Sequence, residues 1–398
     1  MRAAAVVGCG VAGMAAALAL ARRGHEVTLL ECFDSPRPLG SGLLLQPSGL
    51  AALKVLGLDQ AMLAAGARIE RLDGRDLAGR RILDMAYDHW RPGGFGLGVH
   101  RATLFQLLHD ALAPAGVAVR TGVEVVAIED PARPRLLDSE GRVHGPFDLA
   151  VIADGSASRL RSLVRPRARA TLYPWGAVWA NARDAEGAFS GALHQRYDAA
   201  STMMGVLPIG AGSDGARDQV SLFWSLPVAD MDAFFAGDLA AWRLRALSVW
   251  PQAEPLLENL RTPADFSRAT YRDVAAGRWS NGALTLIGDA AHGTSPQLGQ
   301  GANLGLVDAV ELAERLTPGR PVAVSLARFQ AARRRQTGVY QLASRALTPL
   351  FQSGGPLGPL IRDGLFAPVA RLPLVRGLSA RVLTGTFRLG PTPKSLRP

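Results

Sequence analysis

Three glycines and one acidic residue near the start of the chain have the types and spacing to bind a dinucleotide. Gly8, Gly10 and Gly13 form a short loop, and Glu31 follows 18 residues after the last glycine. Such glycines permit a tight turn, close approach of the backbone to a pyrophosphate, and close packing of a helix on a strand. The phosphates lie at the helix N-terminus, where free N–H groups favour negative charge. The acid accepts hydrogen bonds from ribose hydroxyls and disfavours a 2′-phosphate.

The elements that must position this loop surround it. Apolar runs predict a strand over 3–7, a helix over 11–21 and a second strand over 27–30 that ends on the acid.

Residues 3–21 carry no charge and are also compatible with a signal peptide or a membrane span. Three glycines within six residues disfavour a simple apolar helix, because each costs about 1 kcal/mol relative to alanine. Arg22 and Arg23 also stand where a cleavage site would be expected. The strand and the acid at the required places favour the nucleotide site.

Composition limits the class of protein. With 398 residues and 48% hydrophobic side chains, the chain can form two joined domains around a large core. Its two cysteines, Cys9 and Cys32, provide neither a disulfide framework nor a metal-binding pattern, so no metal site and a cytoplasmic location are expected. Both cysteines are interpreted as small buried side chains.

The net charge of +10 raises the question of a nucleic-acid partner. The arginines are scattered, however, and the clusters at 165–169 and 333–335 lack interleaved aromatic residues. We therefore expect no nucleic acid as partner. The C-terminal residues 349–398 are broken by Pro and Gly and contain no run long enough for stable membrane insertion. The oligomeric state is left open.

Two further apolar strands end on acidic residues. The run 147–153 ends at Asp154, and the run 282–288 ends at Asp289. Between them, period-two patterns predict antiparallel strands at 175–183, 191–197, 202–208 and 219–226, followed by one helix over 231–250.

The predicted fold class is α/β: a Rossmann-like dinucleotide domain interleaved with an antiparallel-sheet substrate domain and a helical C-terminal segment. The dinucleotide domain is expected to be discontinuous, over 1–165 and 276–345, with 68–99 partly on the substrate side. The substrate domain takes 166–275, and 346–398 forms a helical or irregular C-terminal segment.

Three separated motifs together resemble a known family. They are the glycine loop with Glu31, the segment 154–161 that begins Asp-Gly-Ser, and the segment 288–303 that contains Gly-Asp-Ala-Ala-His and Gly-Gln-Gly-Ala-Asn. This set resembles the FAD-dependent aromatic hydroxylases, the para-hydroxybenzoate hydroxylase-like (group A) flavoprotein monooxygenases. The resemblance covers most of the chain and is weakest between 165 and 275.

The resemblance implies roles for individual residues. Asp289 matches the family aspartate that binds the ribityl or pyrophosphate side of FAD, and the helix from Ala302 points its N-terminus at the flavin. Asp154 matches an element that serves both FAD and the visiting nicotinamide. The complete set of expected cofactor contacts is Gly8, Gly10, Ala12, Gly13, Glu31, Cys32, Arg37, Arg101, Asp154, Arg161, Asp289, Gly299, Gly301, Ala302 and Asn303.

Structural roles compete with some of these assignments. Asp154 is also compatible with capping the helix that follows it, and Arg161 with a surface ion pair. His292 is interpreted as a hydrogen-bonding residue behind the site in preference to a proton shuttle.

The implied reaction is hydroxylation of an aromatic or quinone-like small molecule. NADPH or NADH reduces FAD, O2 adds at flavin C4a, and the hydroperoxide delivers oxygen to the substrate. Pro296 matches a proline that lines the substrate side of the flavin, and Tyr197 is a candidate substrate hydrogen-bond partner. The expected substrate contacts are Leu45, Met203, Phe223 and Trp224.

Other functions of the same fold stay open. A reductase or dehydrogenase would not use oxygen, and a non-catalytic flavin-binding protein would not oxidise NAD(P)H. A halogenase-type enzyme is expected to carry a Trp-x-Trp-x-x-Pro element and a catalytic lysine. The segment 175–179 lacks that element, and Lys54 and Lys394 are the only lysines.

Overall fold

A computed structural model of the chain describes residues 1–36, 41–211, 215–366, 372–389 and 394–396. Arg37, one of the expected cofactor contacts, lies outside these ranges. Strands and helices are numbered in chain order. None of the described helices combines the length and apolarity needed to cross a bilayer.

The first sheet forms around the glycine loop. Its strands, in spatial order, are β20 (Ser280–Asn281), β21 (Leu284–Leu286), β12 (Leu149–Ile152), β1 (Ala3–Val7), β2 (Glu26–Leu30) and β8 (Ala118–Arg120). From β21 to β8 all neighbours are parallel. Every residue of β12 and β21 is buried, as expected for parallel strands covered on both faces.

Helices pack onto this sheet and onto each other. They are α1 (Val11–Ala21), α2 (Pro47–Val55), α3 (Asp59–Ala65), α4 (Arg101–Asp110), α5 (Arg161–Val164), α9 (Asp289–His292) and α10 (Gly301–Arg315). α1 is rich in Ala and Leu, the best helix formers. Its small side chains let α10 pack closely against it.

A large sheet forms the second layer. In spatial order its strands are β18 (Ser267–Ala269), β14 (Trp175–Arg183), β17 (Gln219–Pro227), β16 (Thr202–Gly210), β15 (Ala192–Asp198), β5 (Arg71–Asp76) and β6 (Arg81–Ala86). Only the β15–β5 pair is parallel among these neighbours. Because β5 and β6 come from the N-terminal half of the chain, the two layers are interleaved in sequence.

The two faces of the large sheet have different partners. One face, with Val178, Met204 and Leu222, packs under α6 (Met231–Ala236), α7 (Leu239–Val249) and α8 (Glu254–Leu257). We call the opposite face, which carries Trp179, Met203 and Phe223, the inner face. It meets β3, β7 and the C-terminal helices.

The remaining elements are small sheets and C-terminal helices. The strands are β3 (Gly42–Leu45), β7 (Gly96–His100) and β4 (Ala67–Ile69) in one sheet, β9 (Val125–Glu129), β10 (Arg135–Asp138) and β11 (Val143–His144) in another, and the pair β13 (Arg169–Leu172) and β19 (Arg272–Ala275). The helices are α11 (Val322–Phe351), α12 (Leu357–Ile361) and α13 (Pro373–Leu383).

The predicted fold class is confirmed, and the four antiparallel strands lie within two residues of their predicted bounds. The single helix predicted over 231–250 is wrong: α6 ends at Ala236 and α7 begins at Leu239, because Gly237 is extended and Asp238 caps the new helix. The domain boundaries stay a proposal.

Candidate active site

The glycine loop has the packing that its sequence predicts. Gly8 has φ +104°, and a Cβ there would lie 2.6 Å from the carbonyl oxygen of Ala153. A Cβ on Gly13 would lie 1.9 Å from the Gly8 oxygen, whereas one on Gly10 would have no atom of the described residues within 4 Å. The first and third glycines are therefore required by packing, and Gly10 faces open space at the N-terminus of α1.

Glu31 is held at the end of β2 beside this loop. Its carboxylate accepts hydrogen bonds from the backbone N–H of Cys9 at 2.6 Å and of Phe33 at 3.1 Å, and from the Cys32 thiol at 3.2 Å. The expectation of two buried cysteines is wrong for Cys32, which is exposed. Burial and the Glu31 charge raise the pKa of Cys9 to about 12, so its thiol stays protonated.

Asp154 and Arg161 lie where β12 ends. Oδ1 of Asp154 is buried without a hydrogen-bond partner among the described residues, and burial raises the pKa of this carboxyl. The buried Arg161 guanidinium donates to the carbonyl oxygens of Ala290 at 2.7 Å and Ser156 at 2.8 Å. Arg161 thus ties together the two chain segments that carry Asp154 and Asp289, and its predicted contact with pyrophosphate stays a proposal.

Asp289 lies beside the N-terminus of α10. The residue is exposed, and its Oδ1 is 3.7 Å from the position that a Cβ on Gly301 would occupy. No side chain caps α10, so its first N–H groups are available to a ligand. Ala12 on α1 packs against Gly288 and Gly305, which brings the starts of both helices close together.

A buried ionic cluster behind this turn was missed from the sequence. Asp308 accepts hydrogen bonds from Gly288 N at 2.8 Å, His292 Nε2 at 2.6 Å and Arg333 Nε at 2.6 Å. Burial alone would raise the pKa of Asp308, but His292 and Arg333 outweigh it and lower the pKa to about 2. The signal in the sequence was an acid within an otherwise apolar stretch of α10.

The side chain of Asn303 holds β3 and the loop before α10 together. It accepts from Gln46 N at 2.8 Å and donates to the carbonyl oxygens of Leu44 at 3.0 Å and Gly299 at 2.9 Å. Its polar atoms therefore join β3 to the loop before α10. Leu45, an expected substrate contact, is fully buried in the core around the first sheet, and it is Leu44 that clusters with residues of the large sheet.

Pro296 begins a short turn, Pro296–Leu298, that leads to the left-handed Gly299. The neighbouring Ser295 hydroxyl lies 2.6 Å from Ser344 Oγ and 2.8 Å from Thr348 Oγ1, both on α11. These hydroxyls hold the half-buried proline in place. The proline therefore has a fixed position beside the start of α10.

The large sheet separates the other predicted substrate contacts. Met203 and Phe223 lie on the inner face, together with Tyr197. Trp224 points to the opposite face, where its ring contacts Trp242 at 6.0 Å. Because side chains alternate along a strand, Phe223 and Trp224 cannot line one pocket. Tyr197 is fully buried, and its hydroxyl donates to Gln195 at 3.0 Å.

Sequence reasoning missed an aromatic group at the edge of the inner face. The rings of Trp179 and Phe223 lie 4.8 Å apart, tilted by 39°. Trp179 Nε1 donates to the Tyr271 hydroxyl at 3.3 Å, and burial raises the pKa of Tyr271 to about 12. Tyr271 is also electrostatically coupled to Arg101 at the start of α4. Trp179, Tyr271 and Arg101 are far apart in the sequence, so no sequence pattern indicated that they lie together.

A polar group adjoins these rings. His100 Nδ1 accepts the Ala102 N–H at 3.1 Å, and burial lowers the pKa of His100, so the ring is neutral at pH 7. Nε2 lies 2.9 Å from the side-chain amide of Asn181, which also contacts the Ser41 hydroxyl. Ser41 accepts from Ser221 at 2.7 Å. The network is neutral and connects β7, β14 and β17.

The described residues fit a flavin dinucleotide. Open space faces Gly10, Asp154 has an unpartnered oxygen, and Nε2 of the fully buried Gln46 is unpartnered on the side of Gly299 among the described residues. With two uncapped helix starts, the site has acceptors for ribityl hydroxyls and donors for phosphate and for the flavin edge. These features define a dinucleotide-binding flavoprotein.

Comparison with known proteins establishes the family. The model of the FAD binding domain family matches residues 1–319, and the chain belongs to this family. The resemblance to FAD-dependent aromatic hydroxylases is thereby confirmed, and the cofactor is FAD.

Two curated relatives and one solved structure illustrate the similarity. The chain is 30% identical over 348 residues to a putative 2-heptyl-3-hydroxy-4(1H)-quinolone synthase of Rhodococcus erythropolis, with 83% of each chain covered. It is 29% identical over 372 residues to a phenazine 1,6-dicarboxylic acid hydroxylase of Lysobacter antibioticus, covering 85% and 88%. Klebsiella pneumoniae HpxO complexed with FAD and uric acid shares the fold, with a TM-score of 0.80, 21% identity and coverage of 96% and 97%.

Proposed function

We propose that the protein uses NAD(P)H and O2 to hydroxylate a neutral, planar aromatic or quinone-like molecule, in the cytoplasm where NAD(P)H is available. The observation that carries the proposal is the neutral aromatic character of the inner face beside the FAD site. Trp179, Phe223 and Met203 provide apolar surface there. Tyr271 and His100 are both neutral at pH 7, since burial raises the pKa of the first and lowers that of the second.

A neutral surface of this kind favours one class of substrate. Burying a carboxylate without a partner would be costly. The aromatic and sulfur side chains of the inner face carry no charge, and the neighbouring cations are Arg101, which is coupled to Tyr271, and Arg362, whose guanidinium lies 5.2 Å from the Tyr197 ring. The Tyr271 hydroxyl accepts from Trp179 and donates to no other described residue, so its hydrogen is available to a carbonyl or hydroxyl oxygen on the substrate. The printed names of two relatives, a quinolone synthase and a phenazine 1,6-dicarboxylic acid hydroxylase, support the fused ring, but the second names a substrate with two carboxyl groups and does not support the absence of charge.

Each part of the site then has a task. FAD, when bound, supplies the redox chemistry, taking electrons from NAD(P)H and passing one oxygen atom from O2 to the ring. The N-terminus of α10, which no described side chain caps, would stabilise negative charge on a flavin bound beside it. Asp289 would accept ribityl hydroxyls, and Arg101 would bind the cofactor from the start of α4. Leu44, Pro296 and the inner face exclude water from the reacting atoms.

Isotope labelling tests the reaction. The purified yellow protein is mixed with a panel of quinolones, phenazines, naphthoquinones and benzoates under 18O2, and NADH and NADPH oxidation are followed separately. We expect neutral fused rings to stimulate oxidation at least tenfold over buffer and to yield a product with one 18O atom. A product formed without oxygen would instead identify a reductase, and benzoates acting best would contradict the neutral pocket.

A further inference from the structure

A glutamine lies among the apolar side chains of the inner face. Gln195 on β15 pairs with Gly205 on β16, and Gly205 pairs in turn with Phe223 on β17. Residues directly opposite each other in a sheet point to the same side, so Gln195 belongs to the inner face with Phe223. The residue is only 8% exposed. An amide in such a place is costly unless its N–H and C=O groups find partners.

Both neighbours of Gln195 in this row of the sheet are glycines. A Cβ on Gly205 would collide with the Phe223 ring, and one on Gly74, the partner on β5, would lie 2.7 Å from Cε2 of Tyr197. An aromatic ring therefore extends over each glycine. Gln195 thus stands between two rings that occupy the space of the missing side chains.

The hydrogen bonds of the Gln195 amide fix its orientation. Oε1 accepts the Tyr197 hydroxyl at 3.0 Å, and Nε2 donates to Sδ of Met203 at 3.4 Å. A thioether sulfur accepts weakly and cannot donate, so the NH2 group faces Met203 and the carbonyl oxygen faces Tyr197. The nitrogen carries two hydrogens, and it donates to no other described residue. One N–H of a nearly buried amide is therefore available to a ligand.

One side chain of α11 links this surface to the cofactor site. Leu347 packs against the inner-face cluster that contains Met203 and Phe223, and also against the cluster that contains Leu298. Leu298 ends the turn Pro296–Leu298, which leads to the start of α10. The inner face is thus the surface of the large sheet that borders on the cofactor site.

We propose that Gln195 is a specificity-determining residue whose available N–H donates to a ring carbonyl oxygen of a neutral, fused-ring substrate. This inference rests on the hydroxylation proposed above, and it narrows the substrate to aromatic molecules that carry such an oxygen. Binding of a carbonyl removes the cost of a buried donor without a partner. A ring that lacks the oxygen leaves the donor unpaired and is rejected.

The neighbouring charge favours a carbonyl over a carboxylate. The guanidinium of Arg362 lies 5.2 Å from the Tyr197 ring. Its Nε donates to Asp363 at 2.7 Å, and one terminal nitrogen donates to the carbonyl oxygen of Ala199 at 2.7 Å. Because this cation is already paired, the neutral amide of Gln195 would have to compensate a substrate carboxylate alone. Burying an ionised group beside a neutral donor costs more than burying a carbonyl.

Binding of matched ring compounds to the FAD-loaded protein tests the proposal. Flavin fluorescence is titrated with fluorenone, with fluorene, which lacks the oxygen, and with fluorene-9-carboxylate, which carries a charge. We expect the wild-type protein to bind fluorenone at least about tenfold more tightly than either of the others. Gln195→Met keeps the length of the side chain without the donor, and Gln195→Leu removes the donor with a different shape. Both should reduce the preference for the ketone to less than about twofold.

A second glutamine provides the matched control. Gln341→Leu removes an amide that donates to the Val274 carbonyl oxygen at 2.6 Å, on another sheet, and should keep the full preference for fluorenone. Flavin content and melting temperature show that each variant is folded. A purely structural role of Gln195 would lower the melting temperature but leave the preference for the ketone unchanged.

The outcomes separate this proposal from the proposed reaction. The role of Gln195 is overturned if the wild-type protein binds ketone and hydrocarbon within about twofold of each other, if it binds the carboxylate most tightly, or if both Gln195 variants keep the preference. The titrations contain no NAD(P)H and need no turnover. A protein that recognises the ketone through Gln195 but incorporates no 18O would contradict the hydroxylation alone.

Discussion

The FAD-binding edge of the first sheet and the inner face of the large sheet build their sites in opposite ways. At the edge, glycines and helix N-termini supply backbone groups. Charged side chains there are held by short hydrogen bonds, as in the Asp308 cluster. On the inner face the groups are neutral and aromatic, and they come from separate strands. We propose that the first region recognises FAD through main-chain geometry and that the second contacts the substrate through side chains.

The largest effect that this contrast predicts is at the glycine loop. Gly13→Ala forces a Cβ to within 1.9 Å of the Gly8 oxygen, so we expect loss of bound FAD and destabilisation by at least about 3 kcal/mol. Gly10→Ala meets no atom of the described residues within 4 Å, so the apoprotein should stay within about 1 kcal/mol of wild type while FAD affinity falls. Flavin absorbance and urea unfolding measure both, and equal destabilisation by the two variants would contradict the assignment.

Asp308→Asn should cost about 3–5 kcal/mol, because it leaves Arg333 and His292 buried around a neutral group. The folded-state pKa of Asp308 is about 2, below the ~3.9 of an unfolded aspartate. The ionised carboxylate therefore adds stability above pH ~4 that is lost as the pH falls towards 2. Urea unfolding at pH 5 and pH 3 should show a weaker pH dependence in the variant.

The half-buried acid Glu314, which pairs with Arg23 and accepts a hydrogen bond from the Ser395 hydroxyl, provides the control for Asp308. It lies 4.0 Å from Arg23 near the surface, so Glu314→Gln should change stability by less than about 0.5 kcal/mol. A similar loss in both variants would show that the buried cluster has no special role.

Asp289→Ala separates cofactor binding from folding. Asp289 is exposed beside the start of α10, so its loss should leave the free energy of unfolding of the apoprotein within about 0.5 kcal/mol. FAD affinity should fall by about 100-fold, which corresponds to about 2.7 kcal/mol. Titration of apoprotein with FAD measures the change. Stoichiometric flavin retained through purification and dialysis would remove Asp289 from the cofactor site.

The smallest effects should distinguish two tyrosines. Tyr271→Phe removes a free donor on the inner face and should lower kcat/KM about tenfold, or about 1.4 kcal/mol, with unchanged flavin content. Tyr197→Phe removes a hydroxyl that is occupied by Gln195, so stability should fall by about 1 kcal/mol and kcat/KM by less than twofold. Steady-state kinetics with the best substrate tests this, and the reverse order would restore Tyr197 as the substrate contact.

The cofactor-binding elements could largely be predicted from the sequence because the patterns that indicate them are local. A strand, a glycine turn, a helix and an acid occur within 31 residues, and each residue type has a backbone reason to be there. The strands of the large sheet were found for the same reason, since alternation is visible within one strand. The face on which each side chain lies was harder to assign, because it depends on which layer packs against the sheet.

The sequence by itself therefore determined the FAD-binding family, the α/β fold and most of the strand bounds, since these depend on short-range periodicity and turn chemistry. Only the tertiary structure decided that Trp179 and Tyr271 meet, that Trp224 and Tyr197 face other partners, and that Asp308 holds His292 and Arg333. The physical reason is distance along the chain: these contacts join residues 16 to 92 positions apart or depend on which face of a sheet is covered. No local pattern records such choices.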